Sequence, residues 1–490
     1  MPLWLGGVDS HSAKLTAFPS EQQSKREGIW EILDPASGII RRLPFETQKI
    51  GNTVLWKAEA RDLDENRSYL YRLIAQGQDS SYSGSFRTFS KQPLGFRFVG
   101  SSCSFALGSP AYLPMMEFYP HLFLHLGDLH YADVQSPQIE DHLKPYITRF
   151  LNGKKEQRFC LQVPMDYIWD DHDYCGNNSA GASPCGNASR AAYLSAFPGY
   201  EPYRKAAGLA HSFQNGRVRF IVLDVRSERS DSAIMSPEQM NWLKQELLLA
   251  EQSNQLALIL SSVSWYGNES DNWGGFSAEQ KEIMEFMELN NLRRVAMICG
   301  DAHMAALDDG SNAPLLKGNE EIKKPFKTGF PVIQAGALLS FGSNKGGSYS
   351  HGAFVNPLGA GQWVECQIID NEGGAIAMRV SGQQMMPGYL KPIGLFQETF
   401  FWPIPSAKKQ AEWFGLERMG NLLNVVVSVP TESAGILYRL RAANGRILDA
   451  AAAGELKTLK LSGNWPKDSG PLFLEEERLG TYRVFLVATD

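Results

Sequence analysis

Cysteine is scarce: six in 490 residues, which excludes a disulfide-built scaffold and leaves each thiol to be weighed on its own. An excess of positive charge is missing too. Lys and Arg number 47 against 53 Asp and Glu, a formal net charge of -6, so no nucleic-acid-binding surface is evident, since binders of polyanions usually show a basic face. No uninterrupted apolar run is long enough to span a bilayer, and the opening MPLWLGGVDSHSAK lacks the basic stretch and apolar run of a secretory signal. The chain therefore reads as cytoplasmic as written, or as an exported chain whose signal has been removed. There is no internal repeat, and composition gives no oligomeric state.

What is present is the ordinary material of globular proteins, with 43% hydrophobic and 20% charged residues, in a chain longer than one hydrophobic core usually organises. Three domains are expected: 1–92, 93–410 and 411–490. In the first, Thr53-Val-Leu-Trp-Lys-Ala-Glu-Ala60 alternates Val54, Trp56 and Ala58 with polar neighbours, the period of a half-buried strand, and Leu63 and Tyr69 stand like the tyrosine corner of an immunoglobulin or fibronectin β-sandwich. In the second, short apolar runs (FRFVGSS, LFLHLGD, DYIWDDH, FIVLDVR, LALILSSV, VAMICGD, FPVIQAG) alternate with helical or loop segments, which predicts α/β layers with strands buried on both faces. Ser236 and Pro237 mark the start of one amphipathic helix, and SAEQKEIMEFMELN is another. After the proline-containing linker FFWPIPSAKKQ, strand patterns and an Asn444-Gly445 hairpin turn predict a small C-terminal β domain.

Three of the six thiols, Cys160, Cys299 and Cys366, sit in apolar surroundings and read as inert core residues. Cys175 and Cys185 flank a polar loop; two free thiols are the expectation, a local disulfide the alternative. Cys103 differs because it ends a strand, as do Asp128 with Tyr131, Asp170 with Asp171 and His172, and Asp301 with His303. Ligand sites form beyond the carboxyl ends of strands in α/β sheets, so these four loops are expected to converge. A lone Gly-Asp carries almost no information; GDLHY, WDDHD and GDAH together, each closing a strand, predict a metal centre. Thiolate, carboxylate, phenolate and imidazole from Cys103, Asp128, Tyr131 and His303 suit a highly charged ion such as ferric iron, Fe3+. Asp128 would bridge to a second, oxygen-liganded cation with Asp171 and Asp301, a set suited to calcium (Ca2+) or magnesium rather than zinc.

The motifs GSSCS, GDLHY, WDDHD, LDVRSERS followed by the MSPEQMNWL helix, DNWGGF and CGDAHM resemble, in that order, the PhoD-like (alkaline phosphatase D) family of metallophosphoesterases, and GDLHYAD is similar to the iron-binding segment of purple acid phosphatases. The resemblance runs from about residue 20 to 400. It implies a layered αββα catalytic domain, Fe3+ on Cys103, Asp128, Tyr131 and His303, and Ca2+ on Asp128, Asp171 and Asp301. It also implies that His172 contacts phosphate or protonates the leaving group, with Asn178 and Asp173 as further candidate calcium ligands; the family's usual Glu is Asp at 173.

The expected function is metal-dependent hydrolysis of a phosphoester by metal-bound hydroxide, with His172 as proton donor and Arg226 either a phosphate clamp or a structural ion pair. Phosphodiesterase or phospholipase-type activity on diesters is one alternative; a non-catalytic binding protein stabilised by metals is the other. Trp265, Tyr266, Trp273 and Phe276 read as loop anchors, or else as residues that wall the pocket or carry the leaving group, the segment around Tyr349 and His351 as a lid, and His125 and His130 as partners of ligands.

Overall fold

The computed structural model describes residues 2–75, 81–204, 208–267, 270–312, 329–343, 345–370, 374–404, 414–419, 422–428, 436–442, 447–452, 458–464, 472–478 and 481–488. The Asn444-Gly445 turn and most of the expected linker, residues 405–410, lie outside them. The chain divides into two compact units, one of residues 1–91, 97–365 and 381–396, the other of 92–96, 366–380 and 397–490.

The first unit begins with two four-stranded antiparallel sheets. One is ordered Leu3–Gly6, Ala13–Ala17, Thr53–Ala60, Glu46–Ile50; the other Ile40–Pro44, Gly28–Leu33, Ser68–Ala75, Ser81–Arg87. Ser68–Ala75 buries alternate residues Tyr69, Tyr71, Leu73 and Ala75, and the first two rings pack on Phe86. The Tyr69 hydroxyl accepts the backbone N–H of Asp64 at 2.8 Å, tying the corner of the chain to its own strand. Thr53–Ala60 departs from its expected alternation. Leu55 is buried beside Trp56 while Val54 and Ala58 are half-buried, because the other face is covered as well: the Lys57 ammonium reaches the carbonyl of Leu194 at 3.1 Å. Trp4 joins these sheets to the rest of the unit, fully buried among the rings of Tyr146, Phe150, Tyr167 and Phe197.

All seven apolar runs form strands, distributed over two sheets. Met165–Ile168, Leu122–Leu126 and Phe96–Ser104 lie parallel in one. Val218–Val222, Leu256–Ser261, Val295–Cys299 and Val332–Ala335 lie parallel in the other, which adds antiparallel strands at both edges. The sheets meet through rings, Phe98 of the first standing edge-on to Phe220 of the second at 5.5 Å. Helix Pro237–Gln252 starts where its sequence dictates, the Ser236 hydroxyl accepting the Gln239 N–H. Its Met240, Leu243 and Leu247, with Ile283, Met284 and Met287 of helix Ser277–Leu289, cover the outer face of the second sheet. Among the described residues no helix is long and apolar enough to cross a membrane.

The second unit contains an antiparallel three-stranded sheet, Phe414–Met419, Leu422–Ser428, Thr458–Asn464, and a four-stranded one, Ile447–Ala452, Ile436–Ala442, Leu472–Arg478, Thr481–Ala488. Its core includes Ile369, Ala377, Phe401 and Phe473, and buries Glu475 among Arg379, Arg439 and Arg441, so that the carboxylate's charge is compensated.

Candidate metal centre

Strands deliver the centre's residues and then turn abruptly. Cys103, Asp128, Asp301 and His303 all adopt left-handed backbone, with φ of 52°, 57°, 66° and 50°. Such a conformation costs a non-glycine residue roughly 1–2 kcal/mol, and it persists where the surroundings over-determine it. Here they do: the Cys103 N–H donates to the carbonyl of Gly127 and the Ser104 N–H to that of Asp128, at 3.0 and 2.8 Å, locking two ligand loops together.

The two Gly-Asp pairs have a steric reason. A Cβ on Gly127, whose φ is +92°, would stand 2.5 Å from the Cβ of Asp170; one on Gly300 would stand 2.2 Å from the carbonyl oxygen of Leu126 and 2.8 Å from that of Ser262. The sheets therefore abut at these glycines, so that loops from both reach one place. Gly300→Ala is expected to cost about 2–4 kcal/mol, read as a lowered denaturant midpoint, because backbone and not a flexible side chain must yield.

Cys103, Asp128 and His303 bring ligand atoms within 4.8 Å of one another, and so do Asp128, Asp171 and His172. Asp128 belongs to both groups. The Tyr131 hydroxyl lies 3.1 Å from His303 Nε2. Asp301 is in neither group; its carboxylate is held by the Lys345 ammonium at 2.8 and 3.1 Å. The second group contains His172 where the sequence suggests Asp301, and the His172 Nδ1 lies 2.6 Å from Asp133 Oδ1.

So many acids in a closed space resist ionisation. Burial first, then the charges of Asp171, Asp170, Asp173 and Asp301, hold the Asp128 carboxyl well above the usual carboxylate range. Burial followed by Asp128 and Asp301 pushes up the Cys103 thiol, and burial followed by Cys103 and Asp128 the Tyr131 phenol. Asp301 is raised by burial despite Lys345, while burial and then Lys345 hold His303 down at about 4. Burial would raise Asp171 as well, but Arg226 and His172 outweigh it and leave that carboxyl lowered. Among the described residues the buried Oδ1 of Asp128 has no hydrogen-bond partner. A set of anionic donors with an orphaned carboxylate oxygen at its shared corner fits cations as the missing partners.

Arg226 is 0% exposed, and its guanidinium is taken up by carboxylates: Asp170 at 2.5 Å, Asp271 at 2.6 Å and Asp171 at 3.7 Å. Asp173 accepts the backbone N–H groups of Leu129, His130 and Asp170, which fastens one ligand loop to the next. Asn178 donates its backbone N–H to Asp171 at 2.5 Å. Trp265 and Trp273 are buried core rings, the latter donating to the Ser261 hydroxyl. The Tyr349 hydroxyl meets that of Ser264, and the Ser350 N–H donates to Asp308, so this stretch is tethered. His125 reaches Ser104, and His130 lies 3.8 Å from Asp173. Sequence reasoning missed Asp133, Asp271 and Lys345. Asp133 closes the quoted GDLHYAD and could have been noticed; Lys345 lies in a Gly/Ser-rich segment with no periodic signal. The expectation of two free thiols is corrected: Cys175 and Cys185 form a disulfide, because helix Gly186–Ala196 begins close enough to the WDDHD turn to bring their Cα atoms to 6.1 Å.

Residues 98–324 match the family model described as PhoD-like phosphatase. A solved structure of PhoD is similar with a TM-score of 0.63 and 17% identity, covering 84% of this chain and 92% of that one. A dimetal phosphatase from Danio rerio aligns with a TM-score of 0.36 and 13% identity over 63% of this chain and 99% of its own, too loosely to argue from. No curated protein matches the chain. At 17% identity the likeness to the solved PhoD is one of fold.

Proposed function

We propose that this chain, a PhoD-like phosphatase through residues 98–324, is a metal-dependent phosphoester hydrolase whose centre lies where the loops after Ser102, Gly127, Asp170 and Gly300 converge. The observation that carries the reading is Asp128, buried, unpartnered at Oδ1 and common to two groups of ligand atoms. Cys103, Asp128, Tyr131 and His303 would hold Fe3+, and Asp128, Asp171 and Asp301 Ca2+, with Lys345 displaced from Asp301. Bound there, such cations neutralise charge on phosphoryl oxygens and acidify water.

The chain's own residues supply the rest. With Nδ1 of His172 engaged by Asp133, Nε2 is the nitrogen left to hand a proton to the departing oxygen. Arg226 is assigned a positioning role, fixing Asp170 and Asp171 through its buried fork, the ion-pair alternative of the two that its sequence context left open, the other being a phosphate clamp. The two N-terminal sheets are read as an immunoglobulin-like sandwich, the two central sheets with their helices as an αββα catalytic domain, and 1–92, 93–410 and 411–490 as the domains.

Elemental analysis of freshly purified protein, its visible spectrum, and assays on a phosphomonoester and a phosphodiester test the proposal. Iron with a phenolate charge-transfer band that disappears in Tyr131→Phe supports the ligand set; zinc alone overturns the iron assignment, and no turnover of either ester by metal-loaded protein overturns the hydrolase. His172→Ala is expected to lower kcat roughly a hundredfold on an alkyl ester, whose alkoxide leaves only when protonated, and far less on a nitrophenyl ester. Asp133→Asn should shift activity in the same sense by a smaller factor. Equal losses on both esters would assign His172 to the metal.

A further inference from the structure

Two strands end side by side at the rim of the centre, and each continues into an exposed phenylalanine. Ala337–Leu339 runs parallel to the strand ending at Ser104, pairing Leu339 with Ser104, and the Ala106 N–H donates to the carbonyl of Leu339. Phe105 and Phe341 follow, 52% and 61% exposed. Their ring centroids are 5.6 Å apart at a 54° tilt. Phe105 stands edge-on to Tyr131 at 5.3 Å, and Tyr131 lies 4.1 Å from the imidazole of His172. A row of four rings thus runs from solvent to the proposed proton donor. Its outer two members leave about half of their apolar area exposed beside a charged centre.

Resting on the hydrolase reading, we propose that Phe105 and Phe341 form the leaving-group subsite and select substrates in which the esterified alcohol carries a planar aromatic group, an aryl ring or a nucleobase. The row begins at the residue that would protonate the departing oxygen, so the group attached to that oxygen extends along it. Two tilted rings with open faces and edges favour a π system over an alkyl group of the same area, since edge-to-face and offset contacts add to area burial. Exposed aromatic platforms bind bases by the same contacts without reading their identity.

The test uses metal-loaded full-length protein and three phosphonates as competitive inhibitors: methyl, cyclohexyl and phenyl. The parent is expected to bind phenylphosphonate roughly fivefold or more tighter than cyclohexylphosphonate, and methylphosphonate most weakly. Phe105→Ala and Phe341→Ala should each reduce the phenyl-to-methyl ratio by about threefold or more, and Phe105→Leu, which keeps apolar area, should erase the phenyl-over-cyclohexyl preference. Equal affinities for phenyl and cyclohexyl in the parent overturn the aromatic subsite, as does an unchanged ratio in the variants; in both cases hydrolysis and inhibition by inorganic phosphate persist, so the phosphatase reading survives. Loss of hydrolysis and of every phosphonate's binding in the parent itself overturns that reading and this one together.

Discussion

Asp128→Asn is expected to empty both cation positions and lower kcat/KM by about a thousandfold or more, roughly 4 kcal/mol of transition-state stabilisation. Among the described residues no other supplies a ligand atom to both groups. Asn keeps the volume and one oxygen but not the charge or the second anionic oxygen needed to serve two cations. Metal content measured alongside kinetics should fall for both elements together. Stability moves the other way in chelated protein: the parent buries an oxygen with no partner, in a carboxyl pushed up by burial and four neighbouring acids, whereas the amide carries no charge. The metal-free variant is therefore expected to be more stable than the metal-free parent by about 1–3 kcal/mol above neutral pH. A carboxylate that only supported the fold would lose stability instead, and that result would remove Asp128 from the centre.

Stripping the cations should destabilise the protein most at alkaline pH. In the metal-free chain the folded-state carboxyls of Asp128, Asp301 and Asp173 are raised, the last to about 6 by burial. For such groups the native state binds more protons than the unfolded state, so stability falls as pH rises from the unfolded carboxylate pKa through the folded one; Asp173 alone corresponds to about 3 kcal/mol. Buried histidines work oppositely: His125 and His130, both held at about 3 chiefly by burial, lose stability as pH falls below the imidazole range. These two histidines lie outside the proposed ligand set, so their effect largely cancels when loaded and chelated protein are compared at each pH. Cations present at about a hundred times their dissociation constants stabilise by roughly 5 kcal/mol for two sites, or roughly 5 °C in melting temperature. That gap is expected at pH 8 and should shrink toward pH 5, where protons compete for the same oxygens and thiol. A gap independent of pH would show that the buried acids are not the ligands.

The residues of the candidate centre were legible as a group because strand ends announce themselves: an apolar run stopping at Gly-Asp or Trp-Asp-Asp-His leaves acids and imidazoles that no core needs. The same patterning predicted the strands, and a serine before a proline the start of helix Pro237–Gln252. Other features were illegible for stated reasons. The second buried face of Thr53–Ala60 depends on Leu194, far along the chain, and period-two alternation cannot report what covers a sheet from outside. Arg226 shows in sequence only that it follows a strand; which partners fill its fork depends on Asp170 and Asp271, each more than forty residues away.

Residue type and local periodicity, which act within a few positions of the chain, determined the strands, the donor chemistry and the expectation of a phosphoester-cleaving centre. Tertiary structure decided the pairing of Cys175 with Cys185, the capture of Asp301 by Lys345, the engagement of His172 by Asp133 and the row of rings leading from Phe341 to His172. Each of these is a distance of a few ångströms between side chains on separate turns and loops, which local patterning does not set; Gly300, packed against the carbonyl of Leu126, is where the Asp301 loop of one sheet meets the Asp128 loop of the other.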